Sequence, residues 1–447
     1  MIHQITAIDV LISLFYIIVI IFIAVFSRPS KEKEYCKFYF PFVLSKIFFS
    51  IIFVLIHSYY YKGGDTFLYF SGGKFFFDQF IANPSNSLNL LFSSFESIQN
   101  IAVTDSSGIL YALRSNDVYF MSKIIGILNL FTAGNFLASS IVFTLITAIG
   151  IWQMYKTFCE LYPPIYTYLA IGMLFYPSLG IWSSGILKDP LTFAAVGFLF
   201  RGAFNILKFR NIIPSIIAIS ISIGTCFILK PYILYTFIPI LLFWVQGSFI
   251  WKTKSAFLRF LITPIVLTAF IAGGYLVITQ ISSAAGKYSL ENVQSVAEGF
   301  QSWHTYLAET RDQSGYSLGE VEFTALGVLR KSPEALFVTY FRPFIIGDVR
   351  NVATLFEALQ SLILLLLSIF VFFKVGILNS LKLIIMNRDI RAFMLFAGIF
   401  GVTVGLTSYN FGALSRYKIP SVPFFIASLA IIYYLGYLKP KQLKQII

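Results

Sequence analysis

Eleven stretches of this chain are apolar over about the length a helix needs to cross a bilayer: 6–27, 38–58, 137–158, 166–183, 191–207, 212–230, 232–250, 260–281, 353–373, 391–408 and 419–437. Crossing the hydrocarbon core takes about 20 residues as an α-helix, since each backbone polar group must be bonded within the segment. The pattern predicts an all-α, polytopic membrane protein of about 11 transmembrane helices, forming a single multi-pass domain over residues 1–447. With 57% hydrophobic residues, the chain shows no region polar enough for a separate soluble domain. The first run, Thr6 to Phe26, lacks a basic region before it and a small-residue cleavage site, so it reads as a retained span rather than a signal peptide. The interrupted apolar stretch 120–134 reads as an interfacial or re-entrant helix.

Lys and Arg in short loops set the orientation. Arg28, Lys31, Lys33 and Lys37 form one group, followed by Lys156, by Lys208 and Arg210, and by Lys252, Lys254 and Arg259. Lys374, Lys382, Arg388 and Arg391 continue the series, which ends with Lys439, Lys441 and Lys444. These loops alternate between the spans and so define one face, the cytoplasmic one. The N-terminus is then outside and the C-terminus inside. The opposite face holds two long loops, 59–136 and 282–352, and short turns around Lys188, Lys230 and Arg416. The long loops are too apolar for flexible linkers, and short amphipathic helices on the outer membrane surface are expected in them. The cytoplasmic stretch 376–390 also reads as an interfacial helix.

The net charge of +13 is spread over short loops, with no basic arm or nucleic-acid motif, so topology accounts for it and nucleic acid is not an expected partner. Cys36, Cys159 and Cys226 lack metal or redox spacing, and His3, His57 and His304 lack metal spacing. No internal repeat of the kind found in many transporters is present.

The informative polar residues lie on the outer face. Asp65, in Lys62-Gly63-Gly64-Asp65-Thr66-Phe67-Leu68-Tyr69, follows a long apolar run. There a carboxylate can take a proton from an attacking hydroxyl, or it can cap the helix that follows. Lys188 and Asp189 sit at the tip of a Ser-, Gly- and Pro-rich turn over residues 176–190, where Asp189 can also cap the next span. Lys230 lies in a tight Lys-Pro-Tyr turn, and either contacts phosphate or snorkels to lipid headgroups. Arg342, in Tyr-Phe-Arg-Pro-Phe, and Arg416, among Asn410, Gly412, Ser415 and Tyr417, put guanidinium groups beside aromatics, where they can clamp phosphate or anchor at the interface.

Three of these motifs, in this order and on this side, resemble those of the GT-C superfamily of polytopic glycosyltransferases, and most closely its bacterial members among surface-polysaccharide genes. They are Gly64-Asp65-Thr66-Phe67-Leu68-Tyr69, Ser183-Ser184-Gly185-Ile186-Leu187-Lys188-Asp189-Pro190 and Arg416-Tyr417-Lys418-Ile419-Pro420. Where the family often has two acids in the first outer loop, this chain has one well-placed acid, Asp65, with Asp78, Glu96, Asp105 and Asp117 elsewhere in the loop. The resemblance implies a multi-pass protein of the cell inner membrane that works on the periplasmic side. It implies inverting transfer of a sugar from a polyprenyl-phosphate lipid to a glycan, lipid or protein acceptor. Asp65 would be the base, and Tyr69, Lys188, Asp189, Lys230, Arg342, Arg416 and Tyr417 would meet the donor. The basic residues would stabilise the leaving phosphate without a cofactor or required metal, and a divalent ion remains compatible. A polysaccharide polymerase or ligase would use the same outer site. A transporter or flippase of lipid-linked sugars would instead need charges deep within spans, and Lys46, Arg201 and Glu357 are the main residues of that kind.

Overall fold

The computed structural model describes residues 5–27, 33–99, 115–250, 295, 298–299, 302–303, 306, 314–319, 321–322 and 324–441. The expected span 260–281 and most of the loop 282–313 lie outside the described residues, as does Asp105. Among the described residues the chain is helical, apart from one isolated antiparallel bridge between Gly315 and Asn410. Eight described helices are long and apolar enough to cross a membrane: Ala7–Phe26, Glu34–Tyr61, Phe136–Leu161, Lys188–Leu207, Ile212–Leu229, Val352–Val375, Arg388–Thr407 and Val422–Lys441. Contacts divide the chain into two compact units, Met1–Trp152 with Leu179–Ala195, and Gln153–Ser178 with Val196–Ile447.

In the first unit, helix Ala7–Phe26 starts with a capping box. The Thr6 N–H donates to Asp9 Oδ2 at 2.8 Å, and the Asp9 N–H to Thr6 Oγ1 at 3.2 Å. Ile8, Leu11, Phe15, Ile18 and Phe22 form an exposed apolar stripe along it. Such a stripe is too large for a water-facing surface and fits a lipid-facing one. Asn135 ties this helix to the start of Phe136–Leu161, donating to Asp9 Oδ1 at 2.8 Å.

The described residues of the first long loop, 59–136, include a helical hairpin. Helices Asp65–Ala82 and Asn116–Thr132 meet where Gly73 faces Ile125 and Gly126 faces Phe76. A Cβ on Gly73 would come 2.5 Å from Ile125 Cγ2, and one on Gly126 would come 2.6 Å from Phe76 Cβ, so only glycine permits this approach. Helix Pro84–Phe92 adds Leu90 to a core with Phe76 and Tyr119. The stretch 120–134 is therefore packed within this unit rather than laid on a surface. Two of its polar side chains meet Ser139, which donates to Asn129 Oδ1 at 2.8 Å and lies 2.6 Å from Thr132 Oγ1.

The expected span 166–183 is not one continuous helix. Short helix Tyr166–Leu169 widens into a π-turn over Ala170–Leu174, and a new helix, Pro177–Trp182, follows. Pro177 supplies no N–H and disfavours helical backbone at Tyr176, which accounts for the break.

The second unit is built on helices Ile212–Leu229, Pro231–Ile250, Val352–Val375, Arg388–Thr407 and Val422–Tyr433. Phe158, Phe200, Phe393 and Phe424 interlock at its centre. At one end Asp389 accepts from Trp244 Nε1 at 2.7 Å, Tyr162 Oη at 2.9 Å and Arg388 Nη2 at 2.8 Å.

The described part of the second long loop, 282–352, departs from the surface helices expected there. Helix Ala325–Phe341 packs along Arg388–Thr407, burying Ala335, Val338, Thr339 and Tyr340. Thr339 Oγ1 donates to the Gly401 carbonyl at 2.7 Å and Tyr340 Oη to that of Ala397 at 2.9 Å. Gly401 and Gly405 make the approach possible, since a Cβ on Gly405 would lie 2.4 Å from the Ala335 carbonyl oxygen. The expected stretch 376–390 holds helix Ile377–Met386, which enters through Gly376 at φ 85°. All three cysteines are free thiols and buried.

Candidate functional site

In the first unit the polar chemistry gathers around helix Asp65–Ala82. The preceding helix ends in a π-turn, Ile56–Tyr61, and leaves through Lys62 at φ 49°. Gly64, at φ 114°, packs against the His57 ring, where a Cβ would lie 3.5 Å from Cδ2. Gly64 is the N-cap, so Asp65 is the first helical residue and the capping role considered for it does not apply. Its carboxylate is exposed at the N-terminal end of the helix. Thr66 and Tyr69 on the same helix are buried, and the Thr66 and Ser58 hydroxyls find no hydrogen-bond partner among the described residues.

Tyr69 carries the link to Lys188, whose Nζ lies 5.2 Å from the Tyr69 ring centroid. Lys188 also forms an ion pair with Asp117, and Ser115 Oγ donates to the other oxygen of that carboxylate. Asp117, only one of several other acids in the first loop by sequence, is thus the acid in contact with Lys188. The approach to Lys188 is fixed by Gly185 at φ 74°, where a Cβ would come 2.0 Å from Phe53 Cδ1. The Gly185 N–H donates to Thr144 Oγ1 at 2.7 Å. Asp189 is buried in the first turn of Lys188–Leu207 rather than standing before it as the cap. Lys46, in mid-span, donates to Ser183 Oγ in the same turn.

In the second unit the cations gather on another tyrosine. Lys230 ends helix Ile212–Leu229, and Pro231 opens the next helix. Lys230 is buried rather than snorkelling, with Nζ 4.4 Å from the Tyr417 ring centroid. The Arg416 guanidinium lies 5.6 Å from the same centroid. Tyr417 ends the short helix Phe411–Tyr417, which Asn410 Oδ1 caps by accepting from the Gly412 and Ala413 N–H groups at 2.8 and 3.1 Å. The bridge of Gly315 to Asn410 holds this bend, with Tyr316 stacked on Tyr409 at 5.7 Å. The buried hydroxyls of Ser408, Tyr409 and Ser415 in the bend make no hydrogen bond among the described residues. Orphaned groups of this kind require an explanation.

Next to the bend, Lys418 is buried and donates to the Thr339 carbonyl at 3.0 Å. Burial lowers its pKa, opposed by the negative charge of Glu357. Arg342 is held by Asp348: its Nε donates to Oδ2 at 2.9 Å and its Nη2 to Oδ1. That pair is electrically neutral. Glu357, near the start of Val352–Val375, accepts from Ser178 Oγ with both oxygens at 3.2 Å. Gln360 Oε1 accepts from the Ser178 N–H at 2.6 Å. Sequence reading flagged Glu357 only as a charge within a span. The signal that it belongs with Ser178 was the broken-helix sequence Tyr176-Pro177-Ser178, which exposes an N–H and a hydroxyl to a neighbouring helix.

The sequence-predicted residues thus fall into two groups. Asp65, Tyr69, Lys188 and Asp189 belong to the first unit, and Lys230, Arg342, Arg416 and Tyr417 to the second. Among the described residues no cluster of three or more His, Cys, Asp or Glu side chains could hold a metal ion. Comparison with protein-family models, with curated proteins and with solved structures finds no match.

Proposed function

We propose that this protein is a membrane glycosyltransferase that takes a sugar from a polyprenyl-phosphate donor at the outer face of the cell inner membrane and transfers it with inversion. The observation that carries this reading is the repeated placement of cations on buried or half-buried tyrosine rings: Lys188 on Tyr69, and Lys230 with Arg416 on Tyr417. An aromatic face holds a cation in place without itself adding a negative charge; at Lys188 the Asp117 carboxylate does add one, so that lysine contributes direction more than charge. Aromatic faces also suit the C–H faces of sugar rings. In the reaction Asp65 takes the proton of an acceptor hydroxyl, and that oxygen attacks the anomeric carbon. The bond from that carbon to the phosphate oxygen breaks, and the electron pair leaves with the phosphate. Basic side chains offset the charge that grows there. Arg342 arrives already neutralised by Asp348 and contributes direction more than charge. The Lys/Arg bias of the sequence, read with eleven spans and the N-terminus outside, supports a periplasmic position for these residues.

The same chemistry with a larger donor unit makes a polymerase or ligase. A flippase is the competing class, and the buried Lys46 and Glu357 favour it to the extent that charges within spans mark a pathway. Both side chains are tied to serines, Lys46 to Ser183 and Glu357 to Ser178, which suits fixed structural roles. The test is transfer of labelled sugar from synthetic polyprenyl-phosphate donors by the purified protein, with lipid scrambling measured in parallel. Transfer that depends on Asp65 supports the proposal. Scrambling without transfer overturns it.

A further inference from the structure

The cytoplasmic ends of two spans in the second unit form a basic surface that the transferase reading does not use. Val352–Val375 ends beside Lys374, turns at Gly376 and runs into helix Ile377–Met386. That helix has two distinct faces. Ser380 is buried, and Leu383 reaches the backbone of the neighbouring span, where a Cβ on Gly436 would lie 3.2 Å from Leu383 Cδ1. Ile377, Leu378, Leu381 and Ile385 are exposed along the other face, Leu378 at 84%. Exposed apolar side chains at this spacing, beside a polar face with a lysine, mark a helix lying in the plane of a membrane interface.

Charge chooses the lipid. From Ala358 to Ile447 the sequence holds one acidic residue, Asp389. Its carboxylate already accepts from Arg388, Trp244 and Tyr162. Lys382 stands on the interfacial helix, and with Gly376, Ile377, Leu378 and Asn379 it lines a groove of about 490 Å³. Lys441 lies 4.7 Å above the Tyr437 ring, and the charge of Lys374 reaches the same tyrosine. Three exposed lysines thus flank an apolar face at the end of membrane-crossing helices.

We infer that Lys374, Lys382 and Lys441 bind the phosphate of an anionic phospholipid headgroup, with the acyl chains running along Ile377, Leu378 and Leu381. A lysine near an anionic leaflet strengthens attachment by about fivefold, so the three together discriminate strongly between charged and zwitterionic lipid.

The test uses the full-length protein in nanodiscs of phosphatidylcholine with a minor share of phosphatidylglycerol. Lipids retained after mild detergent extraction are counted by native mass spectrometry. Phosphatidylglycerol should be retained in preference. The preference should fall by about fivefold with each of Lys374→Gln, Lys382→Gln and Lys441→Gln, and it should weaken in high salt. The three lysines are exposed, so the variants should fold. A melting temperature measured in pure phosphatidylcholine, where the headgroup is absent, checks this. Equal retention of the two lipids by the wild type, or a preference unchanged in the triple variant, overturns the inference. Displacement of bound lipid by soluble glycerol phosphate would show a site for free phosphate and overturn it too.

Discussion

Lys188 and Lys230 occupy matching places in the two units: each stands where one helix hands over to the next, and each lies on a tyrosine ring. They differ in what shares that ring. Lys188 touches the carboxylate of Asp117, which makes a nearly neutral pair. Lys230 shares Tyr417 with a second cation, Arg416. The first unit also holds Asp65, exposed one helical turn before Tyr69, and in the proposed reaction it would handle the proton. In the proposed reaction the second unit would meet the donor phosphate.

Asp65→Asn tests the proton half most severely. It should lower sugar transfer by roughly 10²–10⁴-fold while leaving expression, melting temperature and donor binding nearly unchanged. Because Gly64 is the cap, the substitution costs no capping bond. Full activity in this variant would leave the first unit without a catalytic carboxylate. Arg416→Ala tests the anion half and should cost roughly 10²–10³-fold, with weakened binding of the polyprenyl-phosphate donor. Lys230→Ala should act in the same direction. A loss of rate with donor affinity intact would mean the two halves are not divided as described.

Stability separates the units again. Asp117→Ala leaves the mostly buried Lys188 ammonium without its partner and should cost about 3–5 kcal/mol, read as a lower melting temperature in detergent. The double change Asp117→Ala with Lys188→Met should recover much of that loss. In the second unit Gly405→Ala drives a methyl into the Ala335 carbonyl and should cost about 1–3 kcal/mol. The smallest effect concerns Lys418. Its pKa in the fold is below the ordinary 10.5, so between these two values the unfolded chain binds more protons. Its contribution to stability is therefore full above 10.5 and is lost as pH falls through the lowered value. The melting temperature of the wild type relative to Lys418→Met should rise as pH approaches 10.5.

The spans were legible because burial in lipid demands unbroken apolar length, and the observed helices Ala7–Phe26, Ile212–Leu229 and Val352–Val375 match their predicted bounds to within a residue or two. The break before Pro177 was visible as residues, but its consequence, two helices in place of one span, depends on where the freed N–H of Ser178 finds an acceptor. That acceptor, Gln360, is far away in sequence. The pairing of Lys188 with Asp117 was hidden for the same reason, since no local pattern relates residues 71 positions apart. Helix Ala325–Phe341 looked like a surface helix because its composition is mixed. It packs against a span because Gly401 and Gly405 lie on the facing helix.

The burial of all three native thiols has a practical meaning. Cys36, Cys159 and Cys226 present almost no surface to a reagent in water, so the folded wild-type chain should be nearly silent toward a membrane-impermeant maleimide. A single cysteine introduced at an exposed position such as Tyr61 or Leu378 would then carry essentially all of the label. Applied to whole cells and to inverted vesicles, the pair of variants would report which side of the bilayer each of the two positions faces, with the native sequence otherwise intact.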